Sequence, residues 1–123
     1  MLINVTRPAD SVAVLTINRD EKRNALIEEL LVELAETLEQ ELIDAPSILL
    51  TGAGSAFSAG ADLSSGDPAA IYPALKRVLE IIRGAEKAVV AYVNGPAIGA
   101  GAMLAGVCDI RVVAPSALSL IHI

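Results

Sequence analysis

Apolar residues in this chain alternate between short continuous runs and stripes at helical spacing. Val12 to Ile17 is a short β-branched run that gives way to the polar stretch Asn18 to Asn24, so a strand feeding a loop is predicted there. From Ile27 to Ile43 the positions Ile27, Leu30, Leu31, Leu34, Leu38 and Leu42 fall on one helical face, with Glu28, Glu29, Glu33, Glu36 and Glu39 largely on the other. That pattern predicts an amphipathic helix with a solvated acidic face, and those glutamates are assigned no chemistry. Ser47 to Thr51 predicts an apolar strand ending at Gly52, followed by a stretch to Gly66 rich in Gly, Ala and Ser. Asp67 and Pro68 suit a helix start, and Ile71, Leu75, Val78, Leu79 and Ile82 share one face up to Gly84; Pro73 fits only if it lies in the first turn. Ala88 to Val93 predicts a strand, Asn94 to Ala97 a turn, Gly99 to Val107 a short helix of small residues, and Ile110 to Ala114 a further strand. Strands and helices alternate, which predicts an α/β layered fold with buried, mostly parallel pairing.

Length and composition narrow the function classes. At 123 residues and 54% hydrophobic content one domain is expected, with no internal repeat, low-complexity tract or linker. A net charge of −6 lacks the basic footprint of a nucleic-acid binder, so no nucleic-acid partner is expected. It does not exclude a polyanionic ligand, because local amides and a few cations can outweigh the global charge. Cys108 is the sole cysteine and His122 the sole histidine, so neither a disulfide nor a metal site is expected, and the cytoplasm is the expected compartment. Residues 1–10 lack the apolar core of a leader, and no apolar run reaches the length of a membrane span, so no membrane association is expected.

Two segments share one architecture: an apolar strand, a Gly/Ala-rich turn, then a sequence able to start a helix. The first runs from Ile48 to Leu63 and contains Ala56-Phe57-Ser58-Ala59-Gly60-Ala61-Asp62; the second runs from Val89 to Asp109 and contains Asn94-Gly95-Pro96-Ala97-Ile98-Gly99-Ala100-Gly101. Small residues let a ligand approach the main chain, and a helix N-terminus offers unpaired amides with partial positive charge. Singly, each cluster reads as tight packing; as a pair at this spacing they read as a ligand site. A dinucleotide fingerprint is disfavoured by Phe57 after Gly52-Ala53-Gly54, and a P-loop by the absence of Gly-Lys-Ser/Thr. Ser58 as a hydrolytic nucleophile would need a base, and His122 lies in the terminal run.

The ordered motifs Asn18-Arg19, Arg23-Asn24-Ala25-Leu26, Phe57-Ser58-Ala59-Gly60-Ala61-Asp62-Leu63, Val93 to Gly101 and Cys108-Asp109 resemble those of the enoyl-CoA hydratase/isomerase (crotonase) superfamily. The resemblance covers residues 1–117 and implies the N-terminal part of a crotonase-like spiral core built from repeated ββα units, without its C-terminal helices. The run Leu118 to Ile123 ends in apolar residues with no cap and is expected to be a non-family tail closing a truncated reading frame.

The resemblance also implies site residues. The main-chain amides of Ala61 and Ala100 would bind the carbonyl oxygen of an acyl-CoA thioester and stabilise an enolate. Arg23, Ala25, Leu26, Ala59, Ala61, Asp62, Leu63 and Ser64 would border the coenzyme A channel, with Ala100 and Met103 at the acyl end. Asp62 is expected to fix its turn rather than react. Met103 holds the position where hydratases of this family carry one acid/base glutamate, and the second would fall at or near Ile123. Coenzyme A would enter as part of the substrate with no separate cofactor, and the full-length parent would be a homo-oligomer, a trimer or a dimer of trimers. A non-catalytic acyl-CoA-binding or structural member of the fold is the competing expectation.

Overall fold

The computed structural model describes residues 1–64 and 66–115. Among them, one five-stranded sheet has the order β1-β2-β3-β4-β5, formed by β1 (Ile3–Ala9), β2 (Val12–Ile17), β3 (Ser47–Gly52), β4 (Ala88–Val93) and β5 (Ile110–Val113). The helices are α1 (Glu28–Asp44), α2 (Pro68–Gly84) and α3 (Ala100–Val107), with a 3-10 turn at Asp20–Lys22. The α/β class and the predicted alternation hold.

β1 pairs antiparallel with β2, whereas β2, β3, β4 and β5 pair in parallel. Parallel pairing brings the carboxyl ends Ile17, Gly52 and Val93 to one edge, which is where ligands bind in open α/β sheets. The loops leaving that edge also pair with each other, through isolated parallel bridges Leu26↔Ala61 and Ser58↔Ala97. Each helix is therefore preceded by a sheet strand and by a bridged segment: β2 and Leu26 before α1, β3 and Ser58 to Ala61 before α2, β4 and Ala97 before α3. This is the ββα repeat in abbreviated form.

β1 was not anticipated from the sequence, and its burial explains why. Of its seven residues only Ile3 is buried, so the strand shows none of the alternation that marks β2. It is an edge strand; Pro8 falls at a register irregularity between Thr6 and Ala9. Glu33 on α1 accepts a hydrogen bond from the Ile3 amide at 2.7 Å, giving one of the acidic-face residues a structural duty. Glu39 and Glu41 pair with Arg77 and Arg7, consistent with a solvated face carrying no chemistry.

Alternate strand residues Ala13, Leu15 and Ile17, Ile48 and Leu50, and Val89, Ala91 and Val93 join Leu30, Leu31, Leu34 and Leu38 of α1 and Ile71, Leu75, Val78 and Ile82 of α2 in one core. Each fully buried Leu or Ile contributes about 1.5–3 kcal/mol relative to exposure. Asp67 caps α2 by accepting from the Ala69 amide at 3.0 Å, with Pro68 in the first helical position. Pro73 corrects an expectation: it lies in the second turn, where it cannot donate to the Ala69 carbonyl. Both Ala69 and Pro73 are exposed, so water can satisfy that carbonyl. The terminal run 118–123 lies outside the described residues.

Candidate functional site

Two asparagines shape the loop that follows β3. Asn24 is fully buried at φ 58°, in the left-handed region that asparagine tolerates better than most residues. Its Oδ1 accepts from the Arg19 amide at 2.9 Å, and its Nδ2 donates to the carbonyls of Ala53 (2.9 Å) and Ala56 (2.8 Å). Asn94 approaches from the end of β4, accepting from the Gly52 amide at 3.2 Å and donating to Gly54 and Ala56 carbonyls, each at 3.1 Å. A Cβ at Gly95 would fall 1.9 Å from the Ser55 carbonyl oxygen, so glycine there is a condition of the close approach.

Ser58 fastens the two turns from inside. Its amide donates to the Pro96 carbonyl at 3.2 Å, and its carbonyl accepts from the Ile98 amide at 3.0 Å. Its fully buried hydroxyl donates to the Asn24 carbonyl at 2.8 Å and accepts from the Gly60 amide at 3.2 Å. The proton a nucleophilic serine would release is thus held by a backbone carbonyl. Tight packing is therefore the role of Ser58 and the segment around it.

The amides of Ala61 and Ala100 are the atoms left over. The Gly60 carbonyl accepts from the Leu26 amide at 2.7 Å, and the Asp62 amide donates to the Leu26 carbonyl at 2.9 Å. In a trans peptide the N–H points opposite to the C=O, so holding the Gly60 carbonyl against Leu26 aims the Ala61 N–H away from it. Ala100 is the first residue of α3, where the amide has no intrahelical acceptor, and α3 has neither a side-chain cap nor an acid in its first turn. Among the described residues neither amide has an acceptor. Gly60 (φ 94°) and Gly99 (φ 54°, ψ −120°) both take conformations that favour glycine. A Cβ at Gly60 would sit 2.7 Å from the Ile98 carbonyl oxygen and 3.6 Å from the Ala100 nitrogen, so the two turns are in contact where the amides emerge.

Asp62 is engaged as a turn residue. Its Oδ1 accepts from the Ser64 amide (3.0 Å) and hydroxyl (2.6 Å), and its Oδ2 from Arg19 Nη1 at 2.9 Å. The Ser64 bonds first, then Arg19, hold its carboxyl down at about 2. Arg23 is exposed at φ 52°, and its carbonyl accepts from the Ala59 amide at 3.0 Å, placing the two side by side. The Ala25 carbonyl accepts from the same Arg19 Nη1 at 3.0 Å. Leu26 turns its side chain wholly into the core and meets the turn only through its backbone. Leu63 and Ser64 are exposed beyond Asp62. Met103 lies one helical turn after Ala100, half exposed, in a groove between α2 and α3 lined by Leu79, Arg83 and Val107. Burial among apolar neighbours pushes the Cys108 thiol up to about 11, and its Sγ–H donates to the Leu104 carbonyl, so this cysteine is structural.

Arg19, Asn24 and Asn94 carry much of this architecture, and sequence reasoning gave them no role beyond membership of motifs. Buried polar residues that bond to backbone leave no periodic signal; the Asn-Gly pair at 94–95 was the available hint. Among the described residues, no group of three His, Cys, Asp or Glu could hold a metal ion, and no helix is long and apolar enough to cross a membrane.

Residues 7–120 match the family model described as Enoyl-CoA hydratase/isomerase. A Mycobacterium bovis protein described as Probable enoyl-CoA hydratase echA6 is 44% identical over 120 residues, covering 94% of this chain and 48% of the relative. Probable enoyl-CoA hydratase EchA14 of Mycobacterium tuberculosis is 38% identical over 117 residues, covering 87% and 45%. Among solved structures, a monofunctional enoyl CoA isomerase from M. smegmatis superposes with a TM-score of 0.82 at 33% identity, covering 94% of this chain and 51% of that one. A probable enoyl-CoA hydratase/isomerase from Mycobacterium abscessus gives 0.85 at 31%, covering 95% and 48%. The chain spans about half the length of the curated relatives it matches.

Proposed function

Because this chain belongs to the enoyl-CoA hydratase/isomerase family, we propose that it binds an acyl-CoA thioester, with the amides of Ala61 and Ala100 donating to the thioester carbonyl oxygen. The observation that carries this reading is the pair of amides, without an acceptor among the described residues, on two turns that touch at Gly60 and Ile98. Polarising that carbonyl acidifies the adjacent carbon and stabilises an enolate, the shared intermediate of hydration and double-bond migration. Each preorganised donor in a dry site contributes about 2.7–4 kcal/mol to the transition state. The α3 N-terminus adds partial positive charge on the same side.

Arg23, Ala25, Ala59, Asp62, Leu63 and Ser64 border the path of the coenzyme A moiety in this reading, with Leu26 holding that border from the core side. Exposed Lys22 and Arg23 offset the net charge of −6 locally for a polyanionic ligand. Met103 points the acyl chain toward the α2–α3 groove. Coenzyme A is the only cofactor moiety required, and the whole protein would act in cytoplasmic acyl-CoA metabolism such as that of fatty acids, as a homo-oligomer.

A second reading rests on Met103, a side chain that cannot transfer a proton at a position flanking the site. It makes the chain an acyl-CoA binder without turnover. Isothermal titration with a 2-enoyl-CoA, together with the loss of enoyl absorbance over time, separates the two. Binding with turnover supports the enzyme, binding without turnover supports the binder, and no binding overturns both.

A further inference from the structure

One nitrogen of Arg19 reaches both sides of the bridge that orients Ala61. Nη1 donates to the Ala25 carbonyl at 3.0 Å and to Asp62 Oδ2 at 2.9 Å. Ala25 precedes Leu26, Asp62 follows Ala61, and Leu26 and Ala61 are the bridged pair. The guanidinium therefore ties together the two residues that flank the bridge. Its own backbone is anchored: the Arg19 amide donates to Asn24 Oδ1, and its carbonyl accepts from the amides of Lys22 and Asn24. The side chains of Arg19 and Asp62 are only 11% and 9% exposed, so solvent competes poorly for these bonds.

We propose that Arg19 is a positioning residue for the thioester site: by clamping Asp62 to Ala25 it fixes the direction of the Ala61 amide. The inference rests on the thioester reading. An oxyanion donor works only within a narrow distance and angle of the developing charge. The Ala61 N–H direction is set by the peptide plane it shares with the Gly60 carbonyl, and among the described residues that plane is held by the Leu26 amide. Letting residues 25–26 slide against 61–62 would turn the plane without unfolding the sheet. Arg19 opposes that slide, and a lysine there could supply charge but not a planar, fixed donor.

The test uses this chain with a 2-enoyl-CoA labelled with 13C at the thioester carbonyl, read by difference infrared spectroscopy in Arg19→Met, Arg19→Lys and Asp62→Asn. With wild type the carbonyl band moves to lower frequency on binding. In Arg19→Met that displacement falls by about half or more, as expected when one of two donors is misdirected, while coenzyme A without an acyl group binds within about threefold of wild type. Arg19→Lys recovers part of the displacement. Amide hydrogen exchange at Leu26 and Asp62 accelerates about tenfold in Arg19→Met, with core amides of β3 and β4 unchanged. If Arg19→Met does not fold, Asp62→Asn, which keeps a hydrogen-bonding side chain of equal size, serves the same comparison. A wild-type displacement that survives in the folded variants, with bridge exchange unaccelerated, overturns the positioning role alone. A wild-type band that stays at the free frequency overturns the thioester reading and this inference with it.

Discussion

Asn24, in the loop between β2 and α1, and Asn94, directly after β4, both donate a side-chain N–H to the Ala56 carbonyl oxygen, at 2.8 and 3.1 Å. A carbonyl oxygen has two lone pairs, and here both are used by side chains rather than by a ladder. The loop after β3 is thereby held from both flanks before it turns into Phe57 and the Ser58 bridge. Its conformation belongs to the tertiary structure, since the partners lie 32 and 38 residues away in sequence.

Removing Asn24 should be the more damaging of the two substitutions. Asn24→Ala leaves the Arg19 amide and the Ala53 carbonyl without their partners and puts alanine at φ 58°, so a loss of about 3 kcal/mol is expected; Asn94→Ala, half-buried, should lose about 1–2 kcal/mol. Asn24→Asp should be worse than Asn24→Ala, because a carboxylate oxygen would face two carbonyl oxygens. Urea unfolding of the single variants and the double variant measures both the order and the coupling through Ala56.

Gly60 and Gly99 offer a paired test of backbone against space. At Gly60 an added Cβ meets the Ile98 carbonyl at 2.7 Å and the φ is 94°, whereas at Gly99 nothing lies within 4 Å and only the φ of 54° opposes a side chain. Gly60→Ala should therefore destabilise by about 2–3 kcal/mol and Gly99→Ala by about 1 kcal/mol. Thermal unfolding checks the ranking, and equal losses would mean that strain alone sets both.

The Asp62 carboxyl is held near 2, below its ordinary 3.8, by Ser64 and Arg19. A depressed acid contributes stability that is fully present above its unfolded value and is lost as pH falls through its folded value. Wild type should thus show a stability loss between about pH 4 and pH 2 that Asp62→Asn lacks, while the two profiles run parallel from pH 5 to pH 8. Denaturant midpoints across that range provide the measurement.

Met103 is half exposed on α3, so Met103→Glu should change stability by no more than about 0.5 kcal/mol. If a proton-transferring group is what the site lacks, Met103→Glu should hydrate a short 2-enoyl-CoA at least about tenfold faster than Met103→Gln, a modest share of what a positioned acid supplies. Equal rates for Glu and Gln would show that position 103 does not reach the reacting carbon.

The elements that were legible in the sequence are those whose burial is periodic. The α1 stripe, the start of α2 at Asp67-Pro68 and the span of β4 follow directly from apolar spacing and capping chemistry. β1 was not, because a strand with one buried residue carries no alternation. Pro73 was misplaced because the rule against interior proline assumes that the orphaned carbonyl is dry. At the site, the small residues of both turns marked where backbone comes close. The ties from Arg19, Asn24 and Asn94 were invisible, since each depends on partners brought in by the fold.

The most direct test of the account is a 15N-edited NMR titration of this chain with an acyl-CoA thioester and, separately, with the thioether in which the carbonyl is replaced by CH2. If both amides hold the carbonyl oxygen, the Ala61 and Ala100 amide protons move downfield with the thioester and stay in place with the thioether, while both ligands shift residues 23–25 and 62–64 alike. Ala61 and Ala100 signals that respond equally to both ligands, or to neither, would contradict it.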